Sequence, residues 1–377
     1  MKFNVPSKQF YSYASAVSKI ISSKNAVAIL NNFLITLKDD MLTIKASDME
    51  NSLEARLQVT EPEGEGSYCI DARRLVDLLK EMPDQGMTFE IHEDNLMVDI
   101  TYPNGTYNLV AVRGDEYPQI ETASADDNEG IIEFSAEASR LIGGIDNTIF
   151  AVSSDSLRPM MTGILWDMTK EGLVFVATDT RKLVKYTEKE IHSDSEGSFI
   201  MPVKTATVFK NAYAREDKVT VRATAKGVTL ESEAFTFNSV LIKGKFPDYN
   251  RVIPTNNPYT LIVDRVQMLN AVRRVGGFVS ADHGLIKFNM TPELLTLSAT
   301  DNDFCVSARE SVPCSFSGAN MVMGFGAPYL IEILGTLSTA EMTIQLSDPS
   351  RPGVFTPSEN KEGTELLMLL MPMTVID

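Results

Sequence analysis

A chain of 377 residues is too long for one ordinary hydrophobic core, and two or three domains are expected. Its 44% hydrophobic and 23% charged residues are those of a globular protein, and no apolar run is long enough to cross a bilayer. A net charge of −17 argues against a uniformly basic nucleic-acid-binding surface, although basic residues gathered on one face would escape that total.

The opening "MKFNVPSKQFYSYAS" lacks the apolar core and small-residue cleavage site of a secretory signal. Cys69, Cys305 and Cys314 are odd in number and have no CxxC spacing, which excludes a simple disulfide or zinc framework. A reducing cytoplasm is the expected compartment.

From the N-terminus, "KFNVPSKQFYSYASAVSKII" reads as a short strand followed by a helix. Phe10, Tyr13, Ala14, Val17, Ile20 and Ile21 recur at helical spacing, with Ser7 as the expected N-cap. "LTIKASD", Leu42 to Asp48, is an apolar alternation that closes on Ala-Ser-Asp. "SYCIDARRLVDLLKEM" then gives a strand and a helix over Asp71 to Met82. That helix buries Leu75, Leu78, Leu79 and Met82 and leaves Arg73 and Lys80 on other faces. The alternating pair "MTFEIHEDNLMVDI" follows.

The same order returns twice. "IEFSAEASRLIGGIDNTIF", "LVFVATD", "SFIMPVKTATVFKNAY" and "VTVRATAKGVTLES" make the second round. "LIVDRVQMLNAVRRVGGFVS", with Asp264 as N-cap, "LTLSATD", "NMVMGFGAPYLIEILGTL" and "MTIQLSDPSRPGVFTP" make the third. Asp48, Asp179 and Asp301 stand 131 and 122 residues apart, a period far beyond that of a solenoid. The pattern predicts an α+β protein of three repeated domains, each with two helices and antiparallel β-sheets. The joins fall near "ETASADDNEG" and "VIPTNNPYT", which places the domains at 1–128, 129–254 and 255–377.

Catalytic chemistry is hard to find. His92, His192 and His283 have no metal-ligand spacing and read as surface residues. "SADH" sets Ser280, Asp282 and His283 side by side, whereas real triads assemble from separated positions. "GFGAPYL" lacks the third glycine of a dinucleotide loop and reads as a strand-to-helix turn. "TDND" lacks the glycine and distal glutamate of a calcium loop and reads as a turn. No enzyme activity, metal or cofactor is expected. Positive charge is another matter, because Lys8, Lys19, Lys24, Arg73, Arg74, Lys80, Arg140, Lys204, Lys210, Arg215, Arg265, Arg273 and Arg274 all fall on or beside predicted helices. Singly each is a solvated face; together they suit a phosphate backbone, with the acidic excess held in "EPEGEGS", "SADDNEG" and "HSDSEGS".

With these features the chain resembles the bacterial sliding clamps, the β subunits of DNA polymerase III. The opening "MKF", "VATDTRKLV" where the family has Thr-Asp-Gly-His-Arg-Leu, "GKFPDYNRVIP", and "LLMLLMPMTVID" over the family's closing Met-Pro-Met carry the resemblance, which spans the whole chain. It implies two chains joined head to tail as a homodimer, a closed ring of six domains around duplex DNA that makes the polymerase processive. An ATP-driven clamp loader opens the ring, and the protein belongs to the cytoplasmic replisome without membrane contact. It further implies an apolar cleft for short peptide motifs of the polymerase III catalytic subunit, the loader, other polymerases and repair proteins. The matching positions are Met161, Thr178, Thr180, Arg181, Leu183, Pro247, Arg251, Val252, Leu369, Leu370, Met371, Pro372 and Met373. Lys24, Arg73, Lys80, Lys204, Lys210 and Arg274 are the DNA-facing candidates, and Tyr107, Leu109, Phe278 and Val279 the dimer-interface candidates. Three departures stand out: Thr180-Arg181-Lys182 replaces Gly-His-Arg, Thr374 replaces a basic residue, and the chain runs on to Asp377. Arg158-Pro159-Met160 also replaces an aromatic pair.

The alternatives are a β-rich small-ligand-binding protein using the same cleft, or a peptide-binding scaffold that does not encircle DNA. The first would hold a small molecule without partners; the second leaves the repeated basic helices without a purpose.

Overall fold

The computed structural model describes residues 1–22, 25, 27–118, 132–279, 284–301 and 303–375. Among these lie six α-helices: α1 (Ser7–Ser18), α2 (Ala72–Glu81), α3 (Ala138–Thr148), α4 (Val203–Ala212), α5 (Arg265–Val275) and α6 (Ala327–Thr336). The chain forms two compact units, Met1–Ile142 with Ser193–Gly197 and Lys204–Leu241, and Gly143–His192 with Ser198–Val203 and Ile242–Asp377.

The first unit is built on a thirteen-stranded sheet running from Ile132–Glu137 at one edge to Thr60–Glu63 at the other. α1 and α2 pack together. α1 buries Phe10, Ala14 and Val17, and the Phe10 ring meets Phe3 and Phe89 edge-on at 6.4 and 5.8 Å. Ser7 is not the expected cap: it is the first residue of α1, fully buried, and its hydroxyl donates to the Pro83 carbonyl at 2.7 Å. The helix can start without a side-chain cap because the Ser7 N–H is taken by Gln85 O at 2.9 Å. α2 is capped by Asp71, which accepts from Arg74 N at 2.8 Å; it buries Leu75 and Leu79, with Met82 buried just past its end, as the spacing predicted, while Leu78 is only half-buried.

A twelve-stranded sheet runs through the second unit from Gly197–Pro202 to Met321–Gly326. α5 and α6 pack together, and Asp264 caps α5 by accepting from Gln267 N at 2.7 Å, as expected. Trp166 is fully buried against Phe175, ring centroids 4.6 Å apart. "GFGAPYL" is the expected passage from the strand Met321–Gly326 into α6.

The threefold phrase has one structural meaning, which is a hairpin closed by its aspartate. Asp48 Oδ1 accepts from Glu50 N and Asn51 N at 3.1 and 2.7 Å. Asp179 Oδ1 accepts from Arg181 N and Lys182 N at 2.9 and 2.8 Å. Asp301 Oδ1 accepts from Asp303 N and Phe304 N at 3.0 and 3.2 Å, the turn expected at "TDND", of which Asn302 lies outside the described residues. Such Asx turns need a short acceptor side chain and little else, which is why the motif is so compact.

The strand leaving each turn decides what the hairpin joins. Asn51–Gln58 pairs antiparallel with Phe235–Ser239 from the second repeat. Lys182–Glu188 pairs with Thr364–Leu370 from the third, in register from Lys182↔Leu370 to Glu188↔Thr364. In the third hairpin, Val306–Phe316 lies against Leu294–Asp301 on one side, while on the other only Cys314, Ser315 and Phe316 find partners. The outer edge of 306–313 therefore has no strand partner among the described residues. Gly105–Val110 in the first repeat is open in the same way: among the described residues it pairs with Met97–Tyr102 on one side only.

Candidate functional site

At the turn end of the Lys182–Glu188 and Thr364–Leu370 pairing lies an apolar cavity of about 210 Å³. Leu183 and Leu369 are register partners, both nearly buried, and they form its floor. Leu165, Val174, Val176 and Ile200 pack beneath them with Phe246 and Tyr249. Met161, Thr178, Thr180, Arg181, Pro247, Val252 and Met371 complete the wall, and Val252 and Met371 are 54% and 45% exposed. Methionines at a mouth of this kind repack cheaply around different apolar groups.

The polar residues of the wall are mostly satisfied internally. Thr178 Oγ1 donates to Lys182 O at 2.8 Å and accepts from Thr180 N at 3.1 Å. The Lys182 ammonium is buried, 2.9 Å from Asp179 Oδ2, 2.8 Å from Glu332 Oε2 and 4.7 Å from the Tyr329 ring centroid. Burial pulls its pKa down, but hydrogen bonds to Glu332 and Asp179 and their charge outweigh this and hold it above the ordinary lysine value. Asp248 pairs with Arg251 at 2.8 Å. The Tyr249 hydroxyl donates to Asp167 Oδ2 at 2.8 Å; burial first, and that carboxylate second, push its pKa well up.

The C-terminal segment is tied to the site by its backbone. Met371 N donates to Arg181 O and Met373 N to Gly324 O, each at 2.8 Å. A side chain on Gly324 would put its Cβ 2.7 Å from Met373 O, so the close approach needs glycine there.

Nine of the residues matched to the cleft line this cavity. Leu370 does not: it is fully buried and, by strand alternation, sits on the face opposite Leu369. Arg251 lies beside the cavity, 84% exposed at its side chain. Pro372 and Met373 instead line a second cavity of about 650 Å³ with Gly324, Lys287 and Thr374. The sequence reading missed Lys182, Phe246, Asp248 and Tyr249, although "GKFPDYNRVIP" contains three of them.

Of the DNA-facing candidates, Lys24 lies outside the described residues. Arg73 is exposed with Asp77 at 3.8 Å, and Lys80 is exposed on the last turn of α2. Lys204 is held by Asp48 and donates to Ile20 O at 2.7 Å. Lys210 is half-buried, and Arg274 is forked onto Glu310, Nε to Oε2 at 3.0 Å. Tyr107 and Phe278 are 40% and 42% exposed, and Leu109 and Val279 half-buried. Among the described residues no group of acidic, histidine and cysteine side chains could hold a metal, and no helix is long and apolar enough to cross a membrane. His192 is exposed, as expected of a surface residue, whereas His92 is half-buried beside Asp99; His283, with the rest of "SADH", lies outside the described residues.

A thrice-repeated pair of helices over antiparallel sheets, with the first and second hairpins each reaching into the next repeat, defines the clamp class of DNA-replication proteins. The comparisons agree along the whole length. Family models described as the N-terminal, central and C-terminal domains of the DNA polymerase III beta subunit match residues 1–121, 136–248 and 250–373. The beta sliding clamp of Treponema pallidum is 28% identical over 380 residues, covering 99% of each chain. Among solved structures, a Bartonella birtlesii sliding clamp bound to griselimycin superposes with a TM-score of 0.90 at 26% identity, covering 100% of both chains. A Pseudomonas aeruginosa sliding clamp with ligand gives 0.91 at 24%, again over 100% of both. The chain belongs to the DNA polymerase III beta subunit family and works in DNA replication as a sliding clamp, binding DNA and polymerase.

Proposed function

We propose that two copies of this chain join head to tail into a ring of six repeats, 1–128, 129–254 and 255–377 from each, that encircles duplex DNA. The observation that carries this is the fate of the three hairpins. The first pairs with the last strand of the second repeat, and the second with the last strand of the third. By the same rule the third, open along 306–313, takes the last strand of a first repeat, and 105–110 is open to receive it. Exposed Tyr107, Val110 and Phe278 would be covered by that pairing, which removes an edge otherwise prone to aggregation.

Retention on DNA is then topological, so each phosphate contact can stay weak. Exposed Arg73 and Lys80 suit such transient contacts, and half-buried Lys210 on α4 is a further candidate. The apolar cavity docks short peptides of the polymerase III catalytic subunit, the clamp loader, other polymerases and repair proteins. Griselimycin, held by the Bartonella birtlesii clamp, is expected to compete there. The chain performs no chemistry of its own, takes no cofactor, and acts at the replisome in the cytoplasm.

The test is retention on two DNA topologies. Labelled protein is loaded onto nicked circular plasmid by the cognate loader with ATP, then gel-filtered before and after the plasmid is linearised. Retention on circles and loss after linearisation is expected. Equal retention on both, falling steeply with salt, would mean an ordinary electrostatic binder and would overturn the ring.

A further inference from the structure

Charge around the cavity is unevenly committed. Lys182 is buried, with a side chain 5% exposed, and its ammonium is shared by Asp179 and Glu332. Asp248 is bound to Arg251. Arg181 is different: it is exposed at the mouth, its guanidinium carbon 5.9 Å from the Tyr329 ring centroid. Among the described residues no carboxylate lies within ion-pair distance of it. Of the two cations lining the cavity, it alone offers its donors outward.

The backbone that carries Arg181 is fixed on both sides. Its N–H donates to Asp179 Oδ1 at 2.9 Å, and its carbonyl accepts from Met371 N at 2.8 Å. Thr180 just before it has φ of 76°, a left-handed conformation that is costly for a β-branched residue. Strain of this kind persists where the surrounding structure over-determines it, and such positions cluster at binding sites. The turn thus delivers a preorganised, planar, bidentate donor beside an apolar cavity, and the group matching that donor set is a carboxylate.

Resting on the docking reading above, we infer that Arg181 is a specificity-determining residue that selects peptides bearing an aspartate or glutamate next to the apolar side chains that fill the cavity. The Asp179–Lys182–Glu332 group, with two carboxylates to one ammonium, keeps the field around the mouth low. Selection therefore works at hydrogen-bond range through the guanidinium fork rather than by long-range attraction.

The experiment selects a displayed library of random heptapeptides on the full-length protein, in parallel on Arg181→Ala and Arg181→Glu, and on Leu183→Asp as a cleft control. The strongest binder and its Asp→Asn and Asp→Lys versions are then titrated by fluorescence anisotropy. Expected is an acidic residue enriched beside an apolar pair on the native protein, lost on Arg181→Ala and exchanged for Lys or Arg on Arg181→Glu. The Asp→Asn peptide should bind roughly fivefold more weakly to the native protein and equally to Arg181→Ala. Acidic enrichment identical on all three surfaces would overturn the role of Arg181 while leaving the docking cavity intact. Peptides retained undiminished on Leu183→Asp, or none selected by any surface, would overturn the docking reading and this inference with it. Arg181 is exposed, so circular dichroism should show both variants folded; a misfolded Arg181→Ala would itself contradict a role confined to recognition.

Discussion

The pairing of Asn51–Gln58 with Phe235–Ser239 and the pairing of Lys182–Glu188 with Thr364–Leu370 do the same mechanical job, yet they are finished differently at the turn. In the first, Asn51, Thr205 and Ser239 are buried and satisfy one another: Thr205 Oγ1 donates to Asn51 Oδ1 at 3.0 Å and lies 2.7 Å from Ser239 Oγ. Lys204 closes the end against Asp48 and Ile20 O. In the second, Leu183 faces Leu369 and the space beyond them is left open. A polar finish must saturate its donors and acceptors and so seals itself, whereas an apolar finish can stop short and wait for a guest. The same hairpin gives a closed joint in one place and a docking cavity in the other.

The sharpest way to break this contrast is at the floor of the cavity. Leu369→Ala should cost about 3 kcal/mol in the stability of the second unit, read as a shift in its denaturant midpoint, because it deepens a void as well as removing contact. A shift within error of zero would mean that Leu369 belongs to the mouth rather than to the joint. Next in size is Asn51→Ala, which strips Thr205 of its acceptor and should cost about 2 kcal/mol, read on the first unit. If Asn51→Leu proves as stable as the native chain, the polar finish contributes no stability. The smallest change is Thr180→Gly. Relief of the left-handed strain exceeds the added freedom of the unfolded chain, for a net gain of roughly 0.5 kcal/mol in a thermal melt. Met49, at φ of 77° in the corresponding turn of the first hairpin, is its internal control: Met49→Gly should behave alike. A loss at position 180 alone would show that the Thr180 side chain holds the wall together.

What could be read in the sequence was what neighbouring residues settle among themselves. The Asx turns at Asp48, Asp179 and Asp301 need only a carboxylate and the next two or three N–H groups, so the repeat is visible as text. The caps Asp71 and Asp264 are local too. Ser7 misled because its hydroxyl is claimed by Pro83, a partner brought near only by the folded sheet. The pairing of Asn51 with Ser239 is equally invisible, since nothing near either residue specifies the other. Within the site, the turn residues and "GKFPDYNRVIP" pointed to the correct wall. Strand alternation would have removed Leu370, and the partners of Lys204 and Arg274 could not be known before Asp48 and Glu310 were seen beside them.

Leu183 and Leu369 serve two masters, being at once a rung of the joint between repeats and the floor that a guest touches. Drift at these positions is taxed twice, so a variant that escapes an inhibitor by reshaping the floor also loosens its own framework. Thr180, Arg181 and Val252, exposed on the rim, carry no such double burden. Lineages can thus retune whom the clamp receives by editing the rim, and a compound meant to outlast resistance should draw its affinity from the floor.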